Sequence, residues 1–179
     1  MKKLGHLNLV GLCLIVVGIT IMTSKSLGVD FAKIVVPLLF VLSGIFSITY
    51  SRANKEVEVI SKFQLIKGIG LLAFAGLLSF LSDGLTGFLM YTAYFTLMYG
   101  LLEITFPFAV LNSKNKVVKI MLGYRIIAGF AIAIGAVVLL FTTILNDDEG
   151  LITAGALTLF IGLSNLIYAA KLKGSNSEQ

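Results

Sequence analysis

One acidic residue, Glu103, falls inside a long apolar run of the chain instead of between runs. Burying a charge at such a depth costs at least a few kcal/mol, so an ionisable group there is a functional candidate by default. Lys67 and Arg125 stand at the same edge of neighbouring runs and are the cations within reach of it. Two kinds of chemistry follow. Facing a water-filled cavity, Glu103 is a proton-responsive carboxyl; paired with Lys67 or Arg125, it is a salt bridge tying neighbouring helices together. The pairing is the favoured expectation.

The remaining polar residues offer less. Tyr91, Tyr94 and Tyr99, with Thr92 and Thr96 between them, could line a cavity, but such a face at membrane depth reads as packing with hydrogen bonds between helices. Asp147, Asp148 and Glu149 have the oxygen chemistry for a divalent cation and read instead as a solvated acidic turn. Cys13 is the single cysteine, so neither a disulfide nor a thiolate metal site forms within one chain. His6, the single histidine, lies beside Lys2 and Lys3 and reads as a solvated residue at the membrane edge. There is no glycine-rich phosphate loop with its lysine, no His-Glu-x-x-His, no Gly-x-Ser-x-Gly and no histidine inside a run to act as general base. The expectation is a protein without catalytic residues, metal or cofactor.

The elements that position these residues follow from composition. Of 179 residues 58% are hydrophobic and only 13% charged, and the mean hydropathy is +1.00. Soluble domains carry about 25% charge, so this is an integral membrane chain. Its apolar runs are continuous and long where a transmembrane barrel would alternate over about 10 residues, so the spans are helices. The expected fold is all-α, with six transmembrane helices in one domain, at about 7–22, 31–50, 64–81, 85–106, 117–145 and 151–170. The first resembles a secretory signal but is too long and lacks a small-x-small cleavage site. Pro37 is expected to bend the second helix and Pro107 to mark the exit of the fourth. The fifth, longer than a perpendicular span, should tilt or project, and the tail 174–179 should be disordered.

The net charge of +5 does not indicate nucleic acid, because its distribution serves orientation. Lys2, Lys3, Arg52, Lys55, Lys62, Lys67, Lys114, Lys116, Lys119, Arg125, Lys171 and Lys173 fall on one side, against Lys25 and Lys33 on the other. The first side is expected to be cytoplasmic and to hold both termini.

Internal periodicity adds a further level. Gly18, Gly76 and Gly135 recur in the odd helices, and Gly44, Gly100 and Gly162 in the even ones. Three residues after the even glycines come the polar Ser47, Glu103 and Asn165; six after them come Tyr50, Phe106 and Tyr168, read as interfacial rings. Before the odd glycines stand Asn8, Lys67 and Arg125. The pattern predicts three parallel two-helix repeats, about 5–52, 64–108 and 118–172, packed with approximate threefold symmetry. The six glycines should form the close helix contacts, and the polar residues a shared level.

The six-helix layout, the paired repeats, the run Tyr124-Arg125-Ile126-Ile127-Ala128-Gly129 and the Gly-x-x-polar pattern of helices four and six resemble the HdeD-like acid-resistance membrane proteins. The resemblance implies a bacterial inner-membrane protein linked to acid or general stress, without implying catalytic residues. Asn8 and Ser47 depart from the pattern, standing where the other copies have a basic residue and an acid or amide. The function expected is therefore non-enzymatic. The partners expected are the bilayer and, through the glycine faces, other membrane proteins or a second copy. Two rivals remain, a small transporter or proton conductor using Glu103 and an accessory subunit of a larger membrane complex.

Overall fold

The structure, a computed structural model, describes residues 3–111, 119, 121–145 and 147–177. Lys2, Lys114, Lys116, Asn146, the loop 112–116, the expected start of the fifth helix at 117 and the last two tail residues lie outside these. The described chain forms six α-helices: α1 Leu4–Leu27, α2 Val29–Ala53, α3 Glu58–Phe80, α4 Gly84–Val110, α5 Leu122–Leu145 and α6 Asp147–Ser177. All six are long and apolar enough to cross a membrane. Their lengths of 23 to 31 residues exceed the roughly 20 that cover about 30 Å of hydrocarbon.

Burial follows the same logic. Leu14, Val36, Phe40, Leu71, Phe95, Ile132 and Leu139 fill the middle of the bundle, while Ile34, Phe80, Ile127, Ile134 and Phe141 point outward. Apolar side chains inside and outside are what a helical multi-pass membrane protein requires, since lipid is as apolar as the core.

The helices alternate in direction, so one end of the bundle gathers both termini. Leu7 of α1, Tyr50 of α2, Ile60 of α3, Phe106 and Val110 of α4 and Leu172 of α6 form one apolar cluster there. This is the terminal end; the opposite one is the distal end. Distal turns are short: Gly28 alone separates α1 from α2 at φ 93°, and Gly84 opens α4 at φ 62°, both in the left-handed region that favours glycine.

The most extensive contacts run between α1 and α6, α2 and α3, and α4 and α5. Glycines face one another at each. A Cβ on Gly44 would lie 2.9 Å from the carbonyl oxygen of Gly68, and one on Gly68 would lie 2.9 Å from that of Gly44. Gly11 and Gly162 face each other in the same way, as do Gly18 and Gly155; Gly100 meets the backbone of Gly129 and Ala133. Close backbone approach replaces the hydrophobic driving force that helices lack within lipid.

Several expectations are corrected. A Cβ on Gly76 would meet nothing within 4 Å, and one on Gly135 would meet only the Leu157 side chain, so neither brings backbones together. Gly11, Gly68, Gly129 and Gly155 do so instead. Pro107 does not end α4, which continues to Val110; its missing N–H is tolerated because neighbouring helices pack around it. The second and third helices, expected at 31–50 and 64–81, extend toward each other to Ala53 and Glu58, so only 54–57 lies between α2 and α3. The α-helix of α5 starts at Leu122, because Met121 sits at φ 63° and cannot continue it backward. Asp147, Asp148 and Glu149 belong to the first turn of α6, where the helix dipole favours acids. The tail is helical through Ser177, as expected of a helix already nucleated.

Candidate functional site

The site lies at the terminal end and is built from α3, α4, α5 and α6. On α4 the spacing sets one face: Tyr99 precedes Glu103 by four residues and Phe106 follows it by three, so all three point into the bundle. Gly100 and Gly129 bring α5 close enough that a Cβ on Gly129 would lie 3.0 Å from the Glu103 Cβ. Four residues before Gly129, one helical turn away, stands Arg125.

The three charges meet directly. Arg125 Nε donates to Glu103 Oε2 at 2.6 Å, and Lys67 Nζ of α3 donates to Glu103 Oε1. Exposure is 2% for Lys67, 6% for Glu103 and 4% for Arg125, so this is an interior ion cluster and not a surface pair. Removing any charge from water at this cost is repaid only by close geometry and further polar contacts.

Aromatic rings complete the cage. The Arg125 guanidinium lies 3.7 Å from the Phe106 ring centroid and 4.6 Å from that of Tyr168, and the Lys67 ammonium 4.4 Å from that of Tyr99. Desolvated contacts of this kind contribute about 2 kcal/mol. The Tyr99 hydroxyl in turn donates to Asn165 Oδ1 at 2.9 Å, which links the cluster to α6. Beside Arg125 a small cavity of about 10 Å³ is lined by Tyr124, Ser164, Asn165, Tyr168, Ala128 and Glu103. That is room for about one water. Across it Tyr124 Oη and Ser164 Oγ stand 3.1 Å apart.

The six polar candidates therefore separate. Glu103, Lys67 and Arg125 meet, and Asn165 joins them through Tyr99. Ser47 is buried elsewhere, donating to the Gln64 main-chain carbonyl at 2.8 Å between α2 and α3. Asn8 is exposed, because α1 turns Leu7 inward instead. Leu7 stands four residues before Gly11, where Gln64 stands before Gly68 and Arg125 before Gly129. The expected shared level of six residues is thus replaced by two separate polar contacts at the α2·α3 and α4·α5 interfaces and an apolar one at α1.

Other assignments also shift. Tyr50, Phe106 and Tyr168 are buried, not interfacial rings; they plug the terminal end, and two of them clasp Arg125. Lys67 and Arg125, counted among the basic residues of one side, are interior side chains. Tyr91, Tyr94 and Tyr99 do not share a face, since Tyr94 is 45% exposed while Tyr99 is buried. Thr92 and Thr96 are buried, but their hydroxyls donate to carbonyls of their own helix, at Phe88 and Thr92 or Ala93, not to other helices. His6 is half-buried, with its ring edge-on to Phe46 at 5.9 Å.

Sequence reasoning missed Gln64, Tyr124 and Ser164 and placed Tyr168 at the interface, whereas Tyr99, read as packing with hydrogen bonds between helices, does bond Asn165 of α6. The signal was present for Gln64, which occupies the Arg125 position relative to its glycine. At the distal end Lys25 pairs with Asp148 in an exposed contact, and Lys33 Nζ donates to the Ser82 carbonyl at 3.1 Å. Among the described residues no group of three or more His, Cys, Asp and Glu side chains is placed to hold a metal ion. No family model, curated protein or solved structure matches the chain.

Proposed function

We propose that the chain is a non-enzymatic bacterial inner-membrane protein acting in acid or general stress tolerance, as its resemblance to the HdeD-like proteins implies. The observation that favours a non-enzymatic, non-conducting reading is the pairing of Glu103: one carboxylate oxygen is given to Lys67 and the other to Arg125. Below that level the bundle is filled by apolar side chains such as Leu14, Phe40, Leu71, Phe95 and Ile132. A carboxyl so engaged above a packed apolar core acts as a clamp joining α3, α4 and α5, not as a stage in a proton path.

The glycine contacts support an arrangement of three parallel two-helix repeats about an axis near the membrane normal. Gly44 on Gly68 and Gly100 on Gly129 join the second helix of one repeat to the first of the next, and Gly162 on Gly11 joins the last repeat back to the first. The repeat register then runs through Gly11, Gly68 and Gly129, not Gly18, Gly76 and Gly135. Both termini belong on the cytoplasmic side, as the bias of Arg52, Lys55, Lys62, Lys171 and Lys173 favours.

Survival after acid challenge, compared between cells lacking the protein and cells given it back, tests the physiological reading. Restored survival supports it; equal survival under acid and a panel of other stresses overturns it. Internal pH in protein-loaded liposomes tests the rival. The proposal expects flux equal to empty vesicles, and flux abolished by Glu103→Gln would install the proton conductor in its place.

A further inference from the structure

The charges of the buried cluster do not balance. Lys67 and Arg125 bring two positive charges into the terminal end, and Glu103 is the one carboxylate between them. All three side chains are at least nine-tenths buried. An unmatched charge in such surroundings costs several kcal/mol, which aromatic faces offset only in part.

The cavity beside Arg125 has the properties of a counter-charge site. Arg125 spends its Nε on Glu103, and a guanidinium carries four further N–H groups. Around the same space stand the hydroxyls of Tyr124, Ser164 and Tyr168 and the amide of Asn165, drawn from α5 and α6. The Asn165 amide spends both N–H groups on Tyr99 Oη and the Ile161 carbonyl, and Tyr124 and Ser164 share one hydrogen bond, so the donors left for the space are one of those two hydroxyls and the Tyr168 hydroxyl, which has no partner among the described residues. The carboxylate of Glu103 also borders the cavity, but its two oxygens are turned to Lys67 and Arg125. With room for about one water-sized particle, the space admits a monatomic ion and excludes phosphate or a lipid headgroup.

We propose that this cavity binds a single halide ion, chloride under ordinary conditions, held by Arg125 and by the hydroxyls of Ser164 and Tyr168, with the Tyr124 hydroxyl donating to Ser164. The ion balances the second cation and bridges α5 to α6, a pair that touches more lightly than the α4·α5 pair. Because it rests on charge and donors at this site, the inference stands whether or not the protein acts in stress tolerance.

Purified protein in detergent tests it, with chloride exchanged for gluconate at constant ionic strength and unfolding followed by helical circular dichroism. The expected result is a Tm that rises with chloride and saturates, with bromide acting in the same way. Ser164→Ala removes one donor and should weaken the apparent chloride affinity about tenfold or more while the protein stays folded. Lys67→Met leaves Glu103 and Arg125 as a neutral pair, so its Tm should no longer depend on chloride. Equal stability of the wild type in chloride and gluconate would overturn the proposal and leave the cavity to water. A chloride effect that never saturates, or that persists unchanged in Lys67→Met and Ser164→Ala, would overturn it too, as a general salt effect.

Discussion

The two ends of the bundle handle charge in opposite ways. At the distal end Lys25 and Asp148 pair in the open, with side chains 71% and 50% exposed, and the chain turns over through short glycine-marked connections. At the terminal end Lys67, Glu103 and Arg125 pair within a wall of Tyr99, Phe106 and Tyr168. Water solvates the first set whether or not it pairs, so the pair is worth little there. The second set has only the other side chains of the cluster, so each member depends on the rest. Charge at one end marks a surface, and at the other it joins helices.

The sharpest way to break this comparison is to remove the shared acid. Glu103→Ala leaves two buried cations facing each other and should cost about 3–5 kcal/mol, seen as a large fall in Tm or loss of monodisperse protein in detergent. Next come the close contacts. Gly100→Leu pushes a side chain into the α5 backbone and should cost about 1–3 kcal/mol or more, whereas Gly76→Leu, with open space around its Cβ, should leave Tm nearly unchanged. Ser47→Ala strips the α2·α3 contact of its hydroxyl and should cost about 1 kcal/mol by the same measurement. Smallest is Asp148→Ala, for which an exposed pair predicts about 0.2–1 kcal/mol, falling further as salt is added. If Asp148→Ala cost as much as Glu103→Ala, the two ends would not differ as described.

The six helices were legible because hydropathy over about 20 residues is decided by the bilayer alone. Glu103, Lys67 and Arg125 were legible for a related reason: ionisable residues in apolar runs are rare enough to be noticed singly, and an acid there needs cations nearby. What failed was register. Gly76 and Gly68 are both glycines of α3, and only the rotation of the helix decides which one faces α2; that rotation is set by contacts between helices and leaves little trace in one sequence. Asn8 and Leu7 show the same limit one residue apart. The aromatic cage was hidden differently. Tyr50 and Tyr168 near helix ends resemble membrane-interface rings, and burial against Arg125 or its neighbours is a property of the assembled bundle. Pro107 carried a soluble-protein expectation, a helix stop, into surroundings where neighbouring helices allow the helix to continue.

The central claim is that Lys67 and Arg125 share one buried carboxylate. Comparing the stability of Glu103→Gln, Lys67→Met and the double variant tests it most directly. Glu103→Gln alone leaves two unmatched cations, and adding Lys67→Met removes one of them, so the double variant should be more stable than Glu103→Gln, with a coupling of about 0.5–3 kcal/mol. A double variant whose losses simply add, or exceed the sum, would contradict the account.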